Sequence, residues 1–393
     1  MFAARTPPHL ATLVLLTASS MLTLNMFLPA LPAMTLDLQT RAGVMALAVS
    51  GYMLLSAVLQ LVMGPISDRL GRRPVLLVAL SVYTVASLGC TLASDIRLFL
   101  AFRVLQSVVI AASILSSAIV RDLYPPREAA SRMGTISAAM ALAPMLGPML
   151  GGFLETAVGW RAIFVLYTAL GALALALVWV DLGETRTPGR HRARAADYRA
   201  LLSAPAFWAY ALCAGFSVGA FFIFISGIPY IASHVFGLSA ALTGLGLGSI
   251  TGGYMLGATV TSRLVSRFGI ARFLLAGRLT PTLSLSVGLV LVLAGAVHPL
   301  VLFGTTLFVG FGNGLTIPNA NAGALSVHPD LAGTAAGLNG ALSVTVGAGL
   351  TWLTALVIET AGTPQALLAM MLVCVLISLA AALVANRLDR SEA

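Results

Sequence analysis

The chain alternates between long apolar stretches and short polar breaks. A helix needs about 20 predominantly apolar residues to cross a lipid bilayer. Twelve runs of about this length can be read along the sequence, which predicts an all-α integral membrane protein with twelve transmembrane helices. They lie near 10–31, 44–64, 74–93, 98–120, 132–154, 160–182, 204–232, 240–262, 272–293, 299–322, 332–358 and 364–386.

One long polar segment interrupts this series. It reads GETRTPGRHRARAADYRALLS at 183–203, with six predicted spans before it and six after it. We interpret it as a cytoplasmic linker whose arginines lie at the lipid headgroups, and a regulatory or lipid-sensing segment is the alternative. The predicted organisation is an N-terminal six-helix half at 1–182, this Arg-rich linker, and a C-terminal six-helix half at 204–393.

Short sequences recur at corresponding places in the two halves. GPISDRLGRR (64–73) follows span 2 and TSRLVSRFG (261–269) follows span 8, while FLETAVG (153–159) ends span 5 and VIETAG (357–362) ends span 11. Parallel internal repeats are typical of transporters in which one half rocks against the other about a site near the middle of the membrane. We therefore expect two pseudo-symmetric halves.

The composition supports a membrane protein and fixes its expected orientation. Hydrophobic residues make up 59% of the chain and charged residues 9%, whereas soluble domains carry about 25% charged residues. The basic residues are all arginine, and outside the spans only Arg41, Arg97 and Arg161 fall on the side opposite the N-terminus. By the positive-inside rule, both termini are cytoplasmic. The net charge of +9 thus reflects topology and does not indicate nucleic-acid binding.

The chemistry-bearing residues do not form the pattern of an enzyme. Cys90, Cys213 and Cys374 each fall inside a predicted span, and the histidines are scattered over helix ends and loops. We therefore predict no cofactor and no metal site, with an integral membrane enzyme as the main rival class. The first apolar run has no small-residue cleavage site, so we interpret it as a retained helix rather than a signal peptide.

The loop between spans 2 and 3, GPISDRLGRR, combines glycine, one acid and several arginines. We expect Gly64 to permit close helix contact, Gly71 to form a tight turn, and Asp68 to pair with Arg72 or a neighbouring helix end. The alternative is a basic membrane anchor with one stray acid. The stretch resembles the signature loop of the major facilitator superfamily. This resemblance implies a cytoplasmic latch that helps to lock the outward-open state, formed by Gly64, Asp68, Arg69, Gly71, Arg72 and Arg73.

Span 4 contains RVLQSVVIAAS at 103–113, which places Arg103 about two turns inside the membrane. A lone arginine at that depth is costly unless it pairs or faces water. The stretch resembles the Arg-x-x-Gln-Gly motif of drug:proton antiporters, with Ser107 in place of the glycine, and this implies a role for Arg103 and Gln106 in proton exchange. Snorkelling of Arg103 to the outer interface is the alternative.

Span 5 contains GTISAAMALAPMLGPMLGG at 134–152. Its prolines bend the helix and its glycines leave a smooth face for another helix. It resembles the antiporter motif of exporters in the superfamily, so the resemblance favours export over import of a sugar or metabolite. An ordinary proline-kinked helix is the alternative. The matching positions are Gly134, Gly147, Pro148, Gly151 and Gly152, with Ala143 where the motif has glycine.

Shorter stretches in both halves resemble the bicyclomycin/chloramphenicol-resistance (Bcr/CflA) branch of the twelve-span drug exporters. This resemblance implies a multidrug efflux transporter of the bacterial inner membrane that exchanges small, amphipathic, drug-like molecules for protons. We expect its other partners to be membrane lipids, with no nucleic acid, and we expect a monomer. The stretches are LPALP (28–32), VRDLYPPREAA (120–130), VGWRAIF (158–164), FIFISGIPYI (222–231) and AGTAAGL (332–338).

Span 1 departs from that branch at one position. The branch usually has Asp-Met-Tyr-Leu-Pro where this chain has Asn25-Met26-Phe27-Leu28-Pro29, and asparagine cannot titrate. The thirteen acids of the chain map to loops, tails or helix ends. Two mechanisms stay open: a peripheral acid (Glu155, Glu359 or Asp122) carries the proton with Arg103 as its partner, or the protein is an uncoupled or weakly coupled facilitator or exporter of a neutral or anionic metabolite.

Polar and aromatic residues inside the spans are candidates for the substrate cavity. For the aromatic residues plain packing is the alternative, and for the amides it is interhelical hydrogen bonding. Because Arg103 and Arg278 lie within spans and no acid lies mid-span, we expect a preference for neutral or anionic substrates. A sensor that has lost transport is a further rival, and we expect an appended soluble domain in that case. The cavity candidates are Asn25, Tyr52, Gln60, Gln106, Phe221, Phe224, Ser226, Asn313 and Asn319.

Overall fold

The computed structural model describes residues 8–185, 195–328 and 331–392, and within these ranges the protein is helical and has no strand. Each predicted span corresponds to helix in the structure. Their bounds are Leu10–Asn25 with Leu28–Ala30 and Leu31–Asp37 (span 1), Ala42–Met45 and Leu47–Leu70 (span 2), Arg72–Leu92 (span 3), Ile96–Leu105, Gln106–Val109 and Ile110–Leu123 (span 4), Pro126–Val158 (span 5), Arg161–Asp181 (span 6), Pro205–His234 (span 7), Ala240–Phe268 (span 8), Ile270–Leu293 (span 9), Pro299–Ser326 (span 10), Ala332–Thr360 (span 11) and Pro364–Glu392 (span 12), with a short helix Ala195–Leu202 before span 7.

Ten helical stretches of the described residues are long and apolar enough to cross a membrane. Spans 5 and 8 are the two that fall outside this set. Span 8 is interrupted by glycine, serine and threonine, which lower the hydropathy of a helix but let it pack closely on another helix. Large apolar side chains such as Leu54, Val78, Val180 and Leu283 are exposed on the outside of the bundle, as expected of surfaces that face lipid.

The two ends of the bundle are named here by the linker. The linker end carries residues 182–185 and 195–204 and the turns after spans 2, 4, 8 and 10, and the far end carries the turns after spans 1, 3, 5, 7, 9 and 11. Gly71 and Gly269 occupy corresponding turns at the linker end, with φ of +102° and +84°. Both end one span and begin the next, a conformation that only glycine adopts without strain. The sequence repeat is therefore also a repeat of backbone geometry.

Span 1 differs from its prediction. The sequence predicted one helical span over 10–31, in which a proline would be expected to end the helix, but the first helical segment ends at Asn25. The chain then forms a 3₁₀ turn and a second short helix, with Pro29 and Pro32 each in the first turn of one of them. Proline fits there because first-turn N–H groups have no partner within the helix. The prolines thus start the two short pieces instead of ending the long one.

The first six spans meet the last six along two main helix pairs. Span 5 packs on span 8 without intervening side chains, because a Cβ added at Gly152 would overlap the Ala240 carbonyl and one added at Gly244 would overlap the Pro148 carbonyl. Span 2 packs on span 11, and this contact includes Gln60. Its Oε1 lies 3.1 Å from the position that a Cβ at Gly340 would occupy. These close approaches need the small residues that the sequence places there.

Candidate functional site

Arg103 of span 4 is completely buried among the first six helices. Its Nε donates to the Ala48 carbonyl at 3.1 Å, its Nη2 to the Thr23 carbonyl at 2.8 Å, and its Nη1 to Oε1 of Gln106 at 2.7 Å. Gln106 in turn donates from Nε2 to Oγ of Ser87 on span 3, at 2.8 Å. One guanidinium therefore joins spans 1, 2, 3 and 4 at a point where side chains are excluded from solvent.

Two aromatic rings cover this guanidinium. Its central carbon lies 4.1 Å from the ring centroid of Phe27 and 4.5 Å from that of Tyr52. A ring face attracts a cation electrostatically, and more strongly where water is absent. The polar partners of Arg103 are carbonyls and an amide, and no carboxylate is among those that the structure describes. In this conformation Arg103 is therefore not in contact with a peripheral acid, and its complete burial shows that it does not snorkel to the surface.

Three hydroxyls on spans 2 and 4 have no hydrogen-bond partner within the described part of the chain. They belong to Tyr52, Ser56 and Ser107, and all three residues are buried. A buried hydroxyl without a partner costs free energy, which a water molecule, a proton-carrying group or a polar group of a ligand can recover. Tyr52 also lies against Arg103, so this buried region combines a fixed cation with open hydrogen-bonding capacity.

Asn25 is the last residue of the first helical segment and is 3% exposed. Its Nδ2 donates to the Met21 carbonyl one turn earlier, at 2.8 Å. The two residues that follow make the important contacts: Phe27 lies under Arg103, and Met26 lies against span 5. Asn25 thus stands immediately before a segment that is contacted from two other spans.

The glycines of the antiporter motif contact two different helices. A Cβ added at Gly151 would overlap the carbonyl of Met26, and one at Gly147 would lie 3.6 Å from the Met26 nitrogen. Gly152 and Pro148 face span 8 instead, where Thr251 also approaches the Pro144 carbonyl at 3.5 Å. Ala143 is buried, whereas the packing of Gly134 lies outside the described residues. The motif therefore forms the junction of span 1, span 5 and span 8.

The second half contains a polar network of similar construction around Arg278 of span 9. This residue is completely buried, with Nε donating to Oγ1 of Thr316 and Nη2 to Oδ1 of Asn313, both at 2.8 Å. Asn313 continues the network by donating from Nδ2 to the Ser217 carbonyl on span 7, at 3.0 Å. Nη1 of Arg278 has no partner within the described residues. The sequence signalled Arg278 as a second arginine inside a span, but not this network.

Several cavity candidates are packed within the second half. Phe224 is fully buried against Phe303, with ring centroids 6.2 Å apart, and Oγ of Ser226 lies 3.4 Å from Oγ1 of Thr351. Asn319 donates from Nδ2 to the Leu315 carbonyl of its own helix at 2.7 Å, and Phe221 packs edge-on against Phe222. In this conformation these side chains therefore take part in helix packing and hydrogen bonding, which were the alternatives to lining a cavity. Gln60 differs, because it lies between the two halves.

The signature loop pairs its charges within the first half. Arg72 contacts Oδ1 of Asp68 at 2.7 Å and Oδ2 of Asp122 at 3.1 Å. The backbone N–H groups of Arg72 and Arg73 donate to the carboxylate of Glu184, at 2.9 and 3.3 Å. The predicted Asp68–Arg72 pair and the turn at Gly71 are confirmed.

One expectation for that loop is wrong. A Cβ added at Gly64 would meet nothing within 4 Å, so this glycine makes no close helix contact here. The glycine itself had suggested close helix packing, which small residues favour only when a partner backbone is present.

Two clefts lie at the far end. One, of about 340 Å³, is bordered by Asp37 and Arg161, whose Oδ2 and Nη1 are 2.7 Å apart. The other, of about 320 Å³, lies between the halves and is bordered by Thr35, Tyr230, His234 and Glu359. The first three of these residues were missed by the sequence reasoning, because nothing in the spacing of spans 1 and 7 brings them together.

These features define a class. Twelve helical spans, a repeated turn geometry, a glycine-built contact between spans 5 and 8, and buried arginines inside the spans describe a multi-pass membrane transporter rather than a membrane enzyme. The sequence pattern of the Major Facilitator Superfamily matches residues 13–351, and the chain belongs to this superfamily. This agrees with the resemblance found in the signature loop.

Comparisons with individual proteins support the same branch. The chain is 35% identical to a chloramphenicol resistance protein of Pseudomonas aeruginosa over 66% of this chain and 63% of that protein. It is 28% identical to a bicyclomycin resistance protein homolog of Haemophilus influenzae, over 82% of this chain and 83% of that protein. The matched segment thus spans less than two thirds of the Pseudomonas protein.

A solved structure shows the same fold. The crystal structure of a bacterial homolog of the human lysosomal transporter Spinster, in an inward-facing and unoccupied conformation, superposes with a TM-score of 0.77 at 17% identity. The alignment covers 96% of each chain. The two chains therefore share the arrangement of their helices.

Proposed function

We propose that the protein is an efflux transporter for small, amphipathic, drug-like molecules in the bacterial inner membrane, working by alternating access. The observation that carries this proposal is the packing of the antiporter motif, since Gly151 lies against Met26 of span 1 while Gly152 lies against Ala240 of span 8. A helix that contacts both halves through glycines can slide without displacing side chains. The names of the relatives, which refer to chloramphenicol and bicyclomycin resistance, support export.

The moving units in this proposal are the two six-helix halves at 1–182 and 204–393, joined by the linker at 183–203. The linker end faces the cytoplasm, because most arginines lie there. The far end, where Thr35 meets Tyr230, is then the outer side, and it is closed in this structure. The protein works as a monomer in contact with lipid.

The charges of the signature loop form the cytoplasmic latch. In this structure Arg72 is held by Asp68 and Asp122 within its own half. In the outward-open state these groups meet the second half and lock the cytoplasmic side. Because Arg72 exchanges partners rather than losing them, neither state leaves a buried charge uncompensated.

Transport is coupled to protons through the buried region around Arg103. Arg103 is a fixed cation, and the unpartnered hydroxyls of Tyr52, Ser56 and Ser107 give it a polar surrounding through which a proton or a substrate dipole can be stabilised. Neutral and anionic substrates are preferred, because the spans contain Arg103 and Arg278 without a compensating acid. The alternative is an uncoupled or weakly coupled exporter, which the replacement of the usual acid by Asn25 favours.

The test measures transport with the pH gradient imposed in each of its two directions. Everted membrane vesicles and proteoliposomes are given a neutral chloramphenicol-like compound, with and without an imposed proton gradient. Gradient-dependent accumulation in everted vesicles supports proton-coupled export. Downhill movement that stops at equal concentrations and continues after collapse of the gradient with an ionophore supports the uncoupled alternative. Absence of transport for every neutral, anionic and cationic compound in the panel contradicts the proposal.

A further inference from the structure

Arg278 of span 9 carries a buried positive charge that the described residues do not neutralise. It lies eight residues after Ile270, where span 9 begins, which is about 12 Å into the helix. The side chain is completely buried, and both of its hydrogen-bond acceptors, Thr316 and Asn313, are uncharged. A guanidinium at such a place is costly unless an opposite charge or several strong acceptors surround it.

The buried arginine of the first half is compensated more fully. Arg103 donates to three acceptors, and the faces of two aromatic rings cover its guanidinium. Arg278 has two acceptors, and within the described part of the chain neither an aromatic ring nor a carboxylate contacts it. Both side chains are equally excluded from solvent. The second half therefore has a greater need of a negative charge that its own described residues do not supply.

The unused donors of Arg278 lie on one edge of its guanidinium. A guanidinium has five N–H donors in a fixed plane. Nε and Nη2 form one edge, and each donates one N–H at 2.8 Å, to Thr316 and Asn313. Nη1 has no acceptor within the described residues, so the edge formed by Nη1 and Nη2 offers two parallel N–H groups. Such an edge binds a small anion through two hydrogen bonds at once.

The neighbouring polar groups are occupied by one another. The carbonyl of Ser217 accepts from Asn313, and the hydroxyl of Ser217 lies 3.0 Å from that of Ser378 on span 12. Ser378 also donates to the carbonyl of Cys213 at 2.8 Å. Cys374, one turn before Ser378, donates from its thiol to a backbone carbonyl at 3.3 Å, so this thiol is protonated and neutral. These groups thus supply no counter-charge to Arg278.

We propose that Arg278 binds a small monovalent anion of the chloride class beside spans 9 and 10. One negative charge balances the guanidinium, whereas a divalent anion would leave an excess charge in the same buried place. Because Arg278 is completely buried, the ligand has few atoms: a halide, nitrate or formate rather than a drug-sized molecule. The anion is a bound constituent of the second half and not the exported compound, so this inference does not depend on the proposed efflux.

The bound anion stabilises a junction of three helices. Arg278 joins span 9 to span 10 through Thr316 and Asn313, and Asn313 joins span 10 to span 7 at Ser217. An anion that binds the folded protein and not the unfolded chain raises stability with its concentration. The stability of the protein should therefore depend on which anion is present, and not only on ionic strength.

The experiment compares the purified protein in sodium chloride and in sodium gluconate at constant ionic strength. Gluconate carries the same charge but is too large for a buried site. We expect the Tm in lipid nanodiscs to rise by about 2–4 °C when chloride replaces gluconate. Equilibrium dialysis with radioactive chloride should find roughly one bound ion per protein molecule, displaced by bromide, nitrate or formate but not by gluconate.

Three variants locate the site. Arg278→Gln should abolish both the binding of chloride and the chloride dependence of the Tm. Arg278→Lys keeps the charge but has no edge of two N–H groups, so it should bind chloride at least about tenfold more weakly. Arg272→Gln is the matched control, because it removes the same charge at an exposed position of the same span, and it should bind chloride as the parent protein does.

The parent protein by itself can overturn the proposal. It does so if the Tm is the same in both salts and no radioactive chloride is bound, and this result needs no variant. Chloride binding that persists in Arg278→Gln also overturns it, because the anion then lies elsewhere. If Arg278→Gln does not fold, unchanged affinity in Arg278→Lys overturns the assignment to the guanidinium edge. None of these measurements uses drug transport, so they succeed or fail separately from the proposed function.

Discussion

Gly151 of span 5 packs directly on the backbone carbonyl of Met26, the residue that follows Asn25. The next residue, Phe27, lies beneath the guanidinium of Arg103. Two motifs that are about 45 residues apart in sequence thus converge on one irregular segment of span 1. Movement of span 5 along span 1 therefore displaces Met26, and the adjacent Phe27 contacts the buried arginine. The antiporter motif and Arg103 are thus connected through one segment of span 1.

Adding one methyl group at the interface of spans 5 and 8 should block transport. Gly244→Ala places a Cβ against the Pro148 carbonyl, and a backbone cannot yield as a flexible side chain does. We expect efflux to fall at least about tenfold. The control is Gly252→Ala, about two turns further along the same helix, where a Cβ meets nothing within 4 Å. Equal efflux by both variants would show that the close approach is not needed for transport.

Arg103 should not tolerate lysine. Lysine keeps the charge, but a single ammonium cannot bond the Thr23 and Ala48 carbonyls and Gln106 in the fixed geometry of a guanidinium. We expect Arg103→Lys to reduce proton-driven efflux by about tenfold or more and to lower the Tm in detergent. Arg132→Lys is the control, since Arg132 makes its pair with Glu128 at the protein surface. Unchanged efflux in Arg103→Lys would mean that charge alone is required.

Restoring an acid in span 1 should make transport depend more strictly on the proton gradient. Asn25→Asp introduces a titratable group one residue before Met26, and its ionisation in a buried position responds to the pH on the open side. The measured quantity is the ratio of efflux with and without an imposed gradient, which we expect to rise several-fold. Asn319→Asp, which loses an equivalent amide bond to its own helix, tests whether any new acid has this effect. A ratio equal to that of the parent protein would show that an acid at position 25 does not affect proton coupling.

The two acids that hold Arg72 should contribute unequally to stability. The side chain of Asp122 is 2% exposed, whereas that of Asp68 is 43% exposed. Loss of the buried partner leaves buried Arg72 with only the half-exposed Asp68, whereas loss of the solvated pair costs about 0–1 kcal/mol. Asp122→Asn should therefore lower the Tm far more than Asp68→Asn, as measured by thermal unfolding in detergent. Similar Tm values for the two variants would contradict this.

Substrate charge should matter more than substrate shape. Arg103 of span 4 and Arg278 of span 9 are fully buried, and no acid in the described spans pairs with them. We expect neutral and anionic compounds to be exported about tenfold faster than cations of the same size. Competition between matched neutral and cationic derivatives in proteoliposomes measures this. If organic cations are the best substrates, the charges of Arg103 and Arg278 do not affect substrate selection.

The sequence by itself indicated the all-helical fold, the turn at Gly71 and the Asp68–Arg72 pair. These follow from properties that a local stretch carries, namely apolar length, backbone freedom and short-range charge spacing. It also marked Arg103, because a charge inside an apolar run is unusual wherever the helices lie.

Only the tertiary structure decided which residues meet. The break after Asn25, the open surroundings of Gly64, the network of Arg278 and the hydrogen bond from Gly43 to Glu359 all depend on neighbours that are distant in sequence. A glycine permits close helix packing, but the sequence does not show which helix it contacts. A buried arginine requires favourable partners, and these can be an acid, a carbonyl or an aromatic ring. The packing of helices against each other makes that choice, and no property of a single span contains it.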